Sequence, residues 1–246
     1  MAAPTPALAR RSFKYYDMLM AAFVTVLLCS NLIGPGKLVE FHPFGFLVVF
    51  GAGNIFFPIS YIFDDVLTEV YGYAKARKVF WAGFISMIFA TFMAWVVIHL
   101  PPHATGNVEA DQFQHDLQFS LSKVFGNTWR IVVASMVAFW AGDFANSYVL
   151  AKMKILTSGR WLWTRTIGST IVGEGLDSLI FYPIAFYGLW TTEDLVRSVL
   201  FNWCFKTVME VVMTPVTYAV VGFLKRAEHE DYYDRETDFN PFTLKD

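Results

Sequence analysis

Apolar residues run along this chain in blocks too long for a half-buried strand and too uniform for the one-sided stripe of a surface helix. A helix needs about 20 mainly apolar residues to cross roughly 30 Å of hydrocarbon. Six blocks meet that length: Asp17 to about Ile33, Phe44 to about Phe63, Val79 to Leu100, Trp129 to Leu150, Ile167 to Trp190 and Ser198 to Leu224. The pattern predicts an all-α membrane protein of six transmembrane helices. Residues 1–16 form an amino-terminal segment, 17–226 the transmembrane domain, and 227–246, AEHEDYYDRETDFNPFTLKD, an acidic and mobile tail. The first span is short and is shaped by Gly34, Pro35 and Gly36. In the second, Pro58 four residues after Asn54 predicts a kinked helix with a freed carbonyl. The longest polar connection, PPHATGNVEADQFQHDLQFSLSKVFGNT, alternates enough in its second half to form a short interfacial helix.

Composition agrees with that reading. The 246 residues are 55% apolar and 18% aromatic, with a mean hydropathy of +0.43. Only 16% are charged, against about 25% in soluble domains. Cys29 and Cys204 both fall in apolar blocks, with neither a CxxC spacing nor a disulfide framework. Positive charge sets the orientation, because Lys and Arg accumulate in cytoplasmic loops. The amino end, the second and fourth connections and the tail hold 14 of the 19 basic residues, the other connections hold 4, and the remaining one is Lys206 inside the sixth span. Both termini are therefore predicted to be cytoplasmic.

Several ionisable residues lie inside the spans. Each costs at least about 2.5 to 3.5 kcal/mol near the bilayer centre, so it must face protein or water and commonly marks a pathway. Glu174 and Asp177, in GEGLDS, share a helix face; Asn202, Lys206 and Glu210 recur every four residues; Asp143 has Asn146 and Ser147 beside it. At about 1.5 Å per residue these groups reach one layer near the midplane. Four acids against one base leave a constellation that a donor-rich ligand would complete, although a network that only ties helices together is the competing explanation. Asp64, Asp65 and Glu69 stand at the cytoplasmic end of the second span. They are either solvated surface charges or clamps on the basic inner loops that gate the cytoplasmic mouth. His99, His103 and His115 have no metal-ligand register, Pro101 and Pro102 break it, and no GxxxxGK[ST] loop appears. No metal or cofactor is expected.

Three segments, FPISYIFDDVLTEVYGYAKARKVFWAGF, TRTIGSTIVGEGLDSLIFYPIAF and FNWCFKTVMEVVMTPVTYAVVGFLKR, resemble the queuosine precursor transporter family in order and spacing. These are six-span bacterial inner-membrane proteins, also called vitamin-uptake-transporter-like, and the likeness covers about residues 17 to 226. It implies multi-pass import of 7-cyano-7-deazaguanine or 7-aminomethyl-7-deazaguanine for queuosine in tRNA. On that implication Glu174 or Asp177 accepts the side-by-side donors of the base, as acids do at base edges. Lys206 donates to its carbonyl and Asn54 bonds either edge. Phe57, Tyr61, Phe181 and Trp203 are candidates for stacking on the ring. The expected partners are a nucleobase-like solute and the lipid bilayer, with no direct nucleic acid; an oligomer or an energising partner stays open. So does the energy source, either proton coupling through Glu174, Asp177 or Glu210, or downhill entry followed by trapping. Two alternatives are a binding subunit that needs separate energising proteins and an intramembrane aspartyl-type enzyme built on Asp143 and Asp177. The second lacks the GxGD and YD patterns of such proteases, having AGDF and GLDS instead.

Overall fold

The computed structural model describes residues 13–33, 38–42, 48–126 and 129–243. Helix dominates. α1 (Tyr16–Leu28) ends in a widened turn, Cys29–Ile33, and is followed by a two-stranded antiparallel hairpin of β1 (Leu38–Phe41) and β2 (Val48–Gly51). A tight helical turn (Ala52–Phe56) leads into α2 (Phe57–Val66), which continues through a second widened turn (Leu67–Tyr71). Then come α3 (Tyr73–His99), α4 (Val108–Phe125), α5 (Trp129–Leu156), α6 (Leu162–Phe186) and α7 (Thr192–Glu228).

The second span departs most from expectation. Helix was predicted from Phe44, yet Val48–Gly51 pairs as a strand with Leu38–Phe41, Glu40 opposite Val49. The local cause is β-branched Val48 and Val49 beside Phe50, followed by Gly51 and Gly53, which favour a strand and then break it. Helix resumes around Pro58. That residue sits in the first turn of α2, where its missing N–H costs nothing, rather than kinking a longer helix. The fifth span also ends early, at Phe186, with Pro183 in its last turn and Gly188 at φ +80° turning the chain. The predicted loop helix is α4, capped by Asn107, whose side chain accepts from the amides of Glu109 and Ala110. Gly34, Pro35 and Gly36 lie outside the described residues.

α3 and α7 are long and apolar enough to cross a bilayer, and Tyr16–Leu32 is a shorter apolar helix. α5 and α6 match α3 in length but carry Asp143, Glu174 and Asp177 within their apolar runs. The bundle buries charged side chains among its apolar ones and turns large apolar side chains outward. Its largest fully buried side chains include Arg77, Arg165, Lys154, Glu69 and Glu210, while Phe89, Phe92 and Trp95 of α3 and Phe201, Val208 and Val212 of α7 face outward. A water-soluble domain has the reverse arrangement.

α5 packs along α6, and α6 along α7. Small residues permit the approach: a Cβ added at Gly173 would lie 2.7 Å from Asn146 Cβ and 2.9 Å from the Gly142 carbonyl. At the end of the bundle that carries the termini, Phe23, Tyr71, Tyr73 and Phe80 form an aromatic core. The tail, expected to be mobile, packs there. Arg77 donates to the carbonyls of Asp238 and Asn240, both at 2.7 Å, and Trp81 to that of Pro241 at 2.7 Å. Asp234 accepts from the amide of Tyr73, and the Phe239 ring lies 5.0 Å from that of Tyr73. Backbone carbonyls supply most of these anchors, so an acidic composition gives no hint of them.

Candidate functional site

The helices enclose a cavity of about 350 Å³, within the range of small-molecule sites. α6 supplies Glu174, Asp177, Phe181, Tyr182 and Phe186; α7 supplies Asn202 and Lys206; α5 supplies Ser135, Phe139 and Asp143. α2 adds Ser60 and Asp64, and the end of α1 adds Leu27, Ser30 and Asn31. The spacings read from the sequence bring these groups together, because residues three or four apart share one helix face. A smaller, mainly apolar cavity of about 100 Å³ adjoins it through Asn31, Ser135 and Phe181.

Lys206 is already engaged. Its Nζ lies 2.5 Å from Glu174 Oε2 and 2.6 Å from Asp177 Oδ2. The two acids expected to read a ligand thus first neutralise a buried cation. Asn202 donates to Ser178 Oγ at 3.2 Å. Unmet acceptors lie elsewhere: Asp64 Oδ1 and Asp143 Oδ2 are buried without a hydrogen-bond partner. A buried acceptor left unsatisfied costs about 1–3 kcal/mol, a cost that a ligand's donors would remove.

The expected gate acids divide into three layers along α2 and the turn that follows. Asp64 lines the cavity. Asp65 is buried against Glu210 of α7, and Glu210 is absent from the cavity wall. Glu69 alone meets the basic residues. It receives Arg165 in a two-pronged pair, Nε to Oε2 and Nη2 to Oε1 at 2.7 Å each, and Lys225 at 2.5 Å. Lys154 stands 3.5 Å from Glu69 Oε1 and donates to the Glu69 carbonyl at 2.5 Å. From the tail, Asp231 reaches Lys154 at 2.6 Å and Lys225 at 2.7 Å. Burial works upward on the Asp231 carboxyl, but the two ammonium groups outweigh it and hold it below the usual carboxylate range. Thr68 and Ser147 share a 2.5 Å hydrogen bond beside this cluster. Together these pairs close the termini end beneath the cavity.

Of the expected stacking residues, Phe181 lines the cavity. Trp203 is turned onto α6 instead, donating to the Ile171 carbonyl at 2.8 Å and resting on Gly175. The side chains of Asn54, Phe57 and Tyr61 lie outside the described residues. Sequence reasoning passed over Tyr182, Phe186 and Trp190, whose four-residue spacing was the available signal; the Phe186 and Trp190 rings stack 4.0 Å apart at 7°. It also passed over the polar pair in α1's apolar run, where Asn31 Oδ1 accepts from Ser135 Oγ at 2.9 Å. Among the described residues no cluster of His, Cys, Asp and Glu has the form of a metal site.

Residues 51–220 match the family model described as "Putative vitamin uptake transporter". The chain is similar to the "Probable queuosine precursor transporter" of Bacillus subtilis (strain 168), 31% identical over 207 residues, covering 84% of this chain and 83% of that one. It is also similar to the "Queuosine precursor transporter" of Escherichia coli (strain K12), 24% identical over 180 residues, or 72% and 74% of the two chains. A "Probable queuosine precursor transporter" of Haemophilus influenzae is 23% identical over 172 residues, 69% of this chain and 67% of that one. No solved structure matches.

Proposed function

Since the chain belongs to the vitamin uptake transporter family, we propose that it is a multi-pass carrier of the bacterial inner membrane that imports a queuosine precursor base. α1, α2, α3, α5, α6 and α7 cross the bilayer with both termini in the cytoplasm, and α4 lies at the outer interface. The solute is 7-cyano-7-deazaguanine or 7-aminomethyl-7-deazaguanine, as the likeness to named queuosine precursor transporters suggests.

One observation carries this reading. A cavity among three charged helices holds two unmet carboxylate oxygens, Asp64 Oδ1 and Asp143 Oδ2, beside an aromatic row of Phe181, Tyr182 and Phe186. A guanine-like base has an N–H and an amino group side by side, which a carboxylate accepts together, and a flat face for stacking. Asp64 and Asp143 therefore replace Glu174 and Asp177 as the acids that read it. Glu174, Asp177 and Lys206 form a neutralised wall that fixes α6 against α7. Below, the Glu69 cluster closes the cytoplasmic side, so the cavity belongs to a conformation that loads from outside. Alternating access then requires that cluster to part.

Uptake of labelled base into proteoliposomes tests the assignment. Hydrogen bonds to charged groups are worth about 1.5–3 kcal/mol, so Asp64→Asn and Asp143→Asn each weaken uptake about tenfold to a hundredfold. Normal uptake by both variants, present at wild-type levels in the membrane, removes these residues from the site.

A further inference from the structure

Between the cavity and the cytoplasmic cluster lies a pair of acids with no role so far. Asp65 is 1% exposed and Glu210 0%. Their carboxyls are within hydrogen-bonding reach of each other. All four of their oxygens are buried. Two ionised carboxylates only accept, and in contact they repel at low dielectric. Each acid protonated becomes a donor to the other. Among the described residues, the Asn146 amide is the one protein donor that reaches Asp65; Glu210 has none, and its contact with Asp65 sets acceptor against acceptor unless a proton lies between them.

The charges on every facing element agree. α2 and the turn after it carry Asp64 and Glu69; α5 carries Asp143 and Asn146, whose amide oxygen is also unpartnered; α6 carries Glu174. Lys206, one turn from Glu210 on α7, is engaged with Glu174 and Asp177. The nearer cations of the cytoplasmic end, Arg165, Lys154 and Lys225, converge on Glu69.

We propose that Asp65 and Glu210 are the proton-binding site of this carrier, and that the proton they share ties α2 to α7 while the cytoplasmic side is closed. The pair is placed to report on both ends. Asp65 adjoins Asp64 in the cavity wall, and Glu69 lies one turn beyond Asp65 in the cytoplasmic cluster. A proton entering through the cavity bridges the two helices. Its departure toward the cytoplasm leaves two bare carboxylates in contact, which push α2 from α7 along the face that the cytoplasmic cluster closes. Solute and proton then move in the same direction. This inference rests on the carrier reading above, but part of its test does not.

In proteoliposomes, an outside-acid gradient should concentrate labelled base inside, by about tenfold per pH unit for one proton per solute. Asp65→Asn and Glu210→Gln proteins, which keep a donor between the helices at any pH, should still bind labelled base in detergent, yet no longer accumulate it in response to the gradient. Accumulation that ignores pH, that follows a sodium gradient instead, or that stays pH-driven in both variants overturns the proposal. Infrared difference spectra of the purified protein supply the independent arm. The carbonyl band of a protonated carboxylic acid should be present and should lose intensity in Glu210→Gln and in Asp65→Asn. If neither substitution alters that band, the pair holds no proton. Wild-type protein that exchanges no base refutes the carrier reading, and the spectra still decide the pair.

Discussion

What surrounds a buried carboxylate decides what it does, and Glu228 illustrates the simplest case. It closes the end of α7 onto the amino-terminal segment, accepting from the amides of Lys14 at 2.9 Å and Tyr15 at 2.6 Å and from the Tyr71 hydroxyl at 3.0 Å. Burial works to raise this carboxyl, but those donors outweigh it and hold it below the usual value of 4.5. A depressed acid contributes stability that is present in full above its unfolded value and is lost as pH falls through the folded one. The unfolding midpoint of the detergent-solubilised protein should therefore decline in acid below about pH 4.5, and Glu228→Gln should flatten part of that decline while lowering the midpoint at neutral pH. Individual residues were only partly legible. Glu174, Asp177 and Lys206 were readable as a convergence because helical spacing fixes which side chains share a face. That Lys206 would engage both acids, leaving Asp64 and Asp143 unmet, depends on the rotation of four helices about their axes, which no single segment encodes.

Elements were legible where an apolar run is long and illegible where it is short. A buried strand and a helical turn have the same apolar signature over a few residues, so Val48–Gly51 could join a hairpin without a signal in hydropathy alone. The α5 and α6 pair rests on a different property, the absence of side chains. A methyl at Gly173 must displace Asn146 or the Gly142 carbonyl, 2.7 and 2.9 Å from the added carbon. Overpacking of this kind costs about 1–3 kcal/mol. Gly173→Ala should lower the thermal midpoint in detergent, and Gly173→Leu should prevent accumulation of folded protein, both readable by fluorescence-detected size exclusion. A Gly173→Leu protein as stable as wild type would mean that the two helices do not approach this closely.

At the scale of the molecule, the termini end beneath the cavity is closed by charge. Glu69, 0% exposed, is the acid on which Arg165, Lys154 and Lys225 meet. Removing one partner of a buried ion pair costs about 3–5 kcal/mol, and here three cations lose their focus at once. In a protein whose Cys29 and Cys204 are replaced by Ser, Glu69→Gln should speed labelling of Ser147→Cys by a membrane-impermeant thiol reagent from the termini side by at least about tenfold. Unchanged labelling would place the barrier elsewhere. The tail's Asp231 is also part of this closure, and that fixes an order of assembly. Glu69 emerges from the ribosome first, then Lys154 and Arg165, then Lys225, and Asp231 only after α7 is complete. A nascent chain halted just past the last helix would lie in the membrane with its lysines undercompensated and Arg77 without the carbonyls of Asp238 and Asn240. This closure at the termini end is thus the last part of the protein to be finished during synthesis, and a chain trimmed behind α7 would be left unlatched.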